Sequence, residues 1–206
     1  SGTVTVETET DTDAAGILVK NEEDFDGGAT TGTATFVARY AGALGNSIQV
    51  DVFHTSSGAL ANWKEDFYQG GSTTTVDFGA LFDRGPTTSD YALNNNGGTI
   101  VNDEIHVVVV DYDGQISGKA GEVLETYSHL SLITDAKDDQ GSSNYYKYVI
   151  RLDSQYVYAT GNWDNIGRAD WESKVATGIV AFSDVGGSVP VSIKLADGEN
   201  HDAVSY

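Results

Sequence analysis

The run of residues 105–110, Ile-His-Val-Val-Val-Val, constrains this chain more than any other stretch. Only His106 interrupts its β-branched side chains. Such side chains lose rotamer freedom in a helix and pack well on a pleated sheet, and the run is too short for a helix of ordinary length. A strand that is apolar on both faces must be covered on both sides, so it belongs at the centre of the core. Asp111-Tyr112-Asp113-Gly114 follows it with turn chemistry. Asp hydrogen-bonds backbone two residues on, and Gly accepts positive φ without a Cβ clash.

The other segments are read by what they offer that strand. In residues 47–54, Ile48, Val50 and Val52 alternate with Gln49, Asp51 and Phe53, which predicts a strand with one buried face. Residues 73–78, 122–127, 155–160, 175–182 and 189–195 also read as strands, with Ile116 starting the return strand of a hairpin. Residues 3–12, poor in apolar side chains, suit an edge strand or arm. Residues 33–40 are expected to form a short helix with Phe36, Val37 and Tyr40 on one side. Trp63 and Phe67 suit one helical turn or a twisted edge strand, and residues 89–93 a further helical turn. Residues 144–152 carry Tyr145, Tyr148, Val149 and Leu152 at helical spacing. They predict an amphipathic helix capped by Ser142, Ser143 or Asn144. Residues 21–32 read as a loop.

The sum is an α+β, β-dominated fold: a mixed or antiparallel sheet layer with a few short flanking helices. The expected division is a domain over residues 31–165, and a second β-rich lobe from residues 1–30 with 168–206. Those stretches are expected to pair because a domain's ends usually lie close together.

The chain has 206 residues, enough to bury roughly 70% of its unfolded surface without covalent staples. The absence of cysteine excludes disulfides and thiolate metal sites. Methionine is also absent and the chain opens on Ser1-Gly2, so a segment of a longer protein is expected. Against 11 basic residues stand 31 acidic ones, a formal net charge of −20. That charge repels phosphate backbones and anionic lipid and argues against nucleic-acid or membrane-surface partners. No apolar window reaches the roughly 18 residues of a transmembrane helix.

Several constellations invite chemistry. Asp111, Asp113, Gly114 and Glu122 faintly resemble a calcium loop, but Ile116 stands where that loop needs Gly. The residues 114–119, GQISGK, have three rather than four residues between their glycines, and Ala120 follows Lys119. That departs from the phosphate-loop pattern. His54, His106, His129 and His201 have no second His at i+3 or i+4, so no zinc helix is present. No G-x-S-x-G elbow occurs, and in so acidic a chain carboxylate pairs alone carry no information. Trp63, Trp163 and Trp171 suit core packing better than a sugar-stacking platform. No residue is assigned a catalytic, cofactor-binding or metal-binding role, and no cofactor is expected.

Three stretches in order resemble the tail sheath protein of contractile-tailed bacteriophages. The first is FVARYAGALGNSIQVDV, residues 36–52, which matches an aromatic–x–Ala–basic–Tyr–Pro–Gly–x–x–Gly–Asn–Ser–hydrophobic pattern with Ala41 in place of Pro. The second is residues 103–132, DEIHVVVVDYDGQISGKAGEVLETYSHLSL. The third is residues 135–157, DAKDDQGSSNYYKYVIRLDSQYV. The resemblance implies a non-enzymatic assembly protein of the virion, built in the host cytoplasm. Its partners would be other sheath subunits and the tail tube, and contraction would drive that tube through the host envelope for genome ejection. The family's polymerising C-terminal core is not recognisable, so the chain is expected to be a middle, outward-lying part of the subunit and monomeric in isolation. A reading from another class is an acidic, secreted carbohydrate-binding or adhesin β-module, calcium-assisted, using the tryptophans and Asp-rich turns.

Overall fold

The computed structural model describes residues 5–7, 19, 21–27, 34–39, 42–54, 57–95, 97–98, 101–161, 163, 190–196 and 198. Among them the fold is α+β and β-dominated, with antiparallel sheets and short helices. The valine run lies in β6 (Glu104–Asp111), and every residue of that strand is buried. β6 pairs antiparallel with β3 (Ile48–His54) on one side and β7 (Glu122–Ser131) on the other. With β1 (Thr5–Glu7) and β9 (Val191–Ala196) these strands form a five-stranded sheet in the order β1-β9-β3-β6-β7.

Alternation along β6 sends its side chains into two separate cores. Ile105, Val107 and Val109 join Val50, Val52, Ile193 and Leu195 on one face. Val108 and Val110 join Phe53, Trp63, Phe67 and Phe78 on the other. Burying a valine completely contributes about 1.5–3 kcal/mol, so this one strand is a large share of both cores.

The first core is closed by a two-stranded sheet of β2 (Phe36–Ala38) and β8 (Val157–Ala159), and by helix α3 (Tyr146–Asp153). The second is closed by the hairpin of β4 (Lys64–Gln69) and β5 (Ser72–Asp77). Trp63 and Phe67 are therefore on one face of an extended segment, where even spacing also aligns them. Helix α1 (Glu22–Asp26) is N-capped by Asn21, whose Oδ1 accepts from Asp24 N at 2.9 Å. Its Phe25 stacks on Tyr158 at 4.3 Å. Helix α2 (Asp90–Asn95) occupies the helical turn expected near residue 89.

Several local expectations are corrected. Residues 21–32, expected as a loop, hold helix α1, because Asn21 caps it and Phe25 packs on Tyr158. The helix expected at residues 33–40 is instead strand β2, because Phe36, Val37 and Ala38 are all buried and pair with β8. β3 has two buried faces rather than one, because the β4–β5 hairpin covers the side bearing Gln49, Asp51 and Phe53. Ile116 lies in a turn, and the return strand starts at Glu122. In α3 the buried residues are Tyr146 and Ile150, while Tyr148 and Leu152 are 47% and 57% exposed. The helix is turned by about one residue, or ~100°, from the expected face. Its N-cap is Tyr145, without a side-chain cap, rather than Ser142, Ser143 or Asn144.

β1 pairs with β9, so the described parts of the two ends do meet. β9 also pairs with β3, which makes these strands part of the central sheet rather than a separate lobe. The strand expected at 175–182 lies outside the described residues.

Candidate functional site

The best-organised polar site is the joint between the start of β3 and the end of β6. Gly42 takes φ 128°, a conformation that L side chains rarely adopt. Asn46 donates from Nδ2 to the Gly198 carbonyl at 3.0 Å and accepts from the Gly198 N–H at 2.6 Å. This clasp ties the turn before β3 to the segment after β9. Ser47 donates to Asp111 Oδ1 at 2.5 Å and also bonds Asp113. The Ser47 carbonyl accepts from Tyr112 N at 2.6 Å.

Asp111 is the hub of this joint. Its carboxylate accepts from the backbone N–H groups of Gly114 (3.0 Å), Ile116 (3.0 Å) and Ser117 (2.6 Å), and from Ser117 Oγ at 2.7 Å. Burial pushes its pKa up, but the hydrogen bonds from Ser47, Ser117 and Ile116 outweigh it and hold the carboxyl below its ordinary value. A nest of N–H groups is what a glycine-rich loop offers a phosphate. Here the chain's own carboxylate fills it, which accounts for the superficial likeness of residues 114–119 to a phosphate loop. The calcium pattern breaks at the same atoms: Asp111 faces donors, Asp113 bonds Ser47, and Glu122 pairs with Lys119 at 2.8 Å. Among the described residues no group of three or more His, Cys, Asp or Glu could hold a metal ion.

No protein-family profile matches the chain, and no curated protein matches it.

A second cluster lies under the β4–β5 hairpin. Asp51 is fully buried in the middle of β3. Its Oδ1 accepts from Ser192 Oγ at 2.5 Å, and its Oδ2 from Gln49 Nε2 at 2.9 Å. The same Gln49 nitrogen lies 2.9 Å from both oxygens of Glu65 on β4. Burial first, and then the Glu65 charge, raise the Asp51 pKa well above its ordinary value. The amide bridge and the shifted carboxyl pin the hairpin to the sheet. Sequence reading put Asp51 on a solvent face; the signal against that was Phe53, apolar and in the same phase.

The third cluster surrounds His106. Its Nε2–H donates to the Arg84 carbonyl at 2.8 Å, and its Nδ1 accepts from His129 N at 3.0 Å. That pattern fixes the neutral ring with the proton on Nε2. Burial lowers its pKa to about 4. Phe82 stacks on the ring at 4.2 Å, and Arg84 grips Glu104 through two hydrogen bonds, 2.8 and 3.1 Å long. His129 has φ 54° and lies where the β6–β7 register shifts. The histidines thus secure a bulge. His54 is buried in β3, and His201 lies outside the described residues.

Trp63 and Trp163 are buried, so neither offers a face to a sugar. Trp163 Nε1 donates to Tyr146 Oη at 3.0 Å inside the first core. Trp171 lies outside the described residues. A groove of about 440 Å³ runs between β7 and α3, lined by Thr126, Tyr127 and Ser128 from the strand and by Tyr148, Val149 and Leu152 from the helix.

Proposed function

We propose that this chain is a structural segment of a contractile phage tail sheath subunit, working through packed surfaces rather than through a reacting group. The observation that carries the reading is the mutual packing of the three sheath-like stretches. Residues 36–52 contribute β2 and β3, residues 103–132 contribute β6 and β7, and residues 135–157 contribute α3 and the start of β8. β2 pairs with β8, β3 pairs with β6, and Asn144 hydrogen-bonds both Ser131 and His129. The stretches of the resemblance therefore share one fold and supply most of its core. The Gly-x-x-Gly-Asn-Ser residues of the first also have a local task, since Asn46 and Ser47 clasp the ends of neighbouring strands.

The polar clusters support the same reading. The carboxylates of Asp111, Asp51 and Asp103 are turned inward onto hydroxyl and N–H donors. In the assembly proposed here, the partners are other sheath subunits and the tail tube, and the location is the virion.

The test is to express the complete gene with its neighbouring tube gene and image the product by electron microscopy. Ribbed cylinders containing this chain support the proposal. A complete protein that stays monomeric beside assembled tubes, or one that binds polysaccharide at its surface, overturns it.

A further inference from the structure

We propose that Arg39, Arg151 and Tyr158 form a receptor for an acidic, aromatic-bearing turn of a partner protein, held closed by helix α1 acting as a releasable strap. Four of the five α1 residues are acidic, and the other is Phe25. Arg151, in the last turn of α3, grips Glu22 at 3.1 Å and Asp26 at 2.7 Å through the same nitrogen, Nη2. Phe25 stacks on Tyr158 at 4.3 Å. The Arg39 guanidinium lies 4.2 Å from the centre of the Tyr158 ring and also donates to the Arg151 carbonyl. A cation on an aromatic face and a carboxylate on a guanidinium are both attractive. A net charge of −20 repels an acidic segment at a distance, yet at contact this surface holds one. The bound turn therefore displays the chemistry that the surface selects.

Two observations mark α1 as a replaceable occupant. The first is how lightly it is held. None of its residues is buried, and a helix of five residues does not hold itself together in water. Its shape rests on the Asn21 cap and on the surface beneath it. Along the chain α1 lies between Val19 and Ala34, both buried in the first core, so it can lift while its anchors stay. Segments with few buried contacts open at the low end of a protein's stability range. The second observation is at Arg151, whose Nε is buried without a hydrogen-bond partner among the described residues. A carboxylate met side-on uses Nε and one Nη together. α1 directs both of its carboxylates to Nη2 and leaves half of that fork idle. A partner's carboxylate seated side-on would satisfy both nitrogens, which is its advantage over the strap. Tyr158, 3% exposed beneath Phe25, would then take the partner's aromatic ring.

The probes are acetyl-NEEDFDG-amide, which copies residues 21–27, and acetyl-NEEDADG-amide, which lacks the ring. Each is titrated against the isotope-labelled parent and two variants with a loosened strap, Phe25→Ala and Glu22→Gln/Asp26→Asn. The double variant is altered only at exposed positions and decides the matter if Phe25→Ala does not fold. The first peptide should bind the loosened variants at least tenfold more tightly than the parent, where the tethered strap competes at high local concentration. Its shifts should centre on Arg39, Arg151 and Tyr158. Adding Arg151→Gln, or omitting the ring from the peptide, should weaken binding at least fivefold. In the parent, the Phe25 and Gly27 amides, bonded within α1, should exchange at least a hundredfold faster than the amides of β3 and β6. No gain of affinity in the double variant overturns the proposal. So do shifts centred elsewhere, indifference to Arg151→Gln, equal binding of the two peptides, or α1 amides that open only with the core.

Discussion

Replacing Asp111 tests the hub of the β3–β6 joint. Donors from Ser47, Gly114, Ile116 and Ser117 converge on one carboxylate. In Asp111→Ala, water can take over at exposed Ser117, and Ser47 keeps its bond to Asp113. The buried Gly114 N–H and the half-buried Ile116 N–H have no such relief. Leaving a buried donor unmet costs about 1–3 kcal/mol, so the loss should be about 3–5 kcal/mol. Asp111→Asn separates charge and acceptor capacity from shape. Its amide nitrogen would face the Ile116 and Ser117 donors, so about 2–4 kcal/mol should be lost despite near-identical volume. Urea unfolding followed by the fluorescence of buried Trp63 and Trp163 measures both, and an unchanged slope confirms that the denatured state is the same. If Asn matches the parent, or Ala costs under about 1 kcal/mol, the carboxylate is not what orders residues 114–117. Because the folded pKa lies below the unfolded one, this stabilisation is present above about pH 4 and is lost as pH falls through the folded value.

Further outcomes follow from the packing and the other clusters. Ile150→Ala should cost about 2–5 kcal/mol and Leu152→Ala under about 0.5 kcal/mol; the reverse order in denaturant melts would return the helix to the face its spacing suggested. Gly121→Ala should cost about 3 kcal/mol, since its φ is +79° and a Cβ would lie 2.6–3.0 Å from Phe67 side-chain atoms. The His106 pKa is depressed to about 4, so its contribution is intact above about pH 6.5 and about 3 kcal/mol is lost on acidification to pH 4. His106→Gln should flatten that part of the stability–pH curve. Asp51 acts with the opposite sign: its folded pKa is raised, so its contribution is full below about pH 4 and fades as pH climbs. Asp51→Asn should therefore be relatively more stable at neutral than at acid pH, and a parallel pair of curves would contradict this.

What the chain revealed in advance was what depends on short-range pattern. The valine run announced a strand buried on both faces because five β-branched residues in six suit a strand far better than a helix. The turn after Asp111 was legible because Asp and Gly act on backbone within a few positions. What failed depended on distant partners. Phe36-Val37-Ala38 became a strand because β8, from far along the chain, pairs with it. Asp51 became buried because a hairpin folded over a face that its alternation had left polar. In α3, Tyr145 and Val149 do pack against the core, but Tyr146 and Ile150 sit deeper, and spacing alone does not choose between adjacent stripes. The Asn46 clasp was hidden in the same way, since its partner is Gly198.

The strand order has a consequence for how this chain is made. As it leaves the ribosome, β3 emerges early and soon meets β6, while the neighbour on its other flank, β9, is still to be translated. Until then β3 presents an apolar, unpaired border to its surroundings. Pairings between segments far apart in sequence form slowly, and half-built sheets of this kind are prone to clump. Truncations that stop short of residue 191 should therefore be recovered mainly in inclusion bodies, whereas slowing synthesis before β9 would lengthen the interval in which a chaperone must guard that flank.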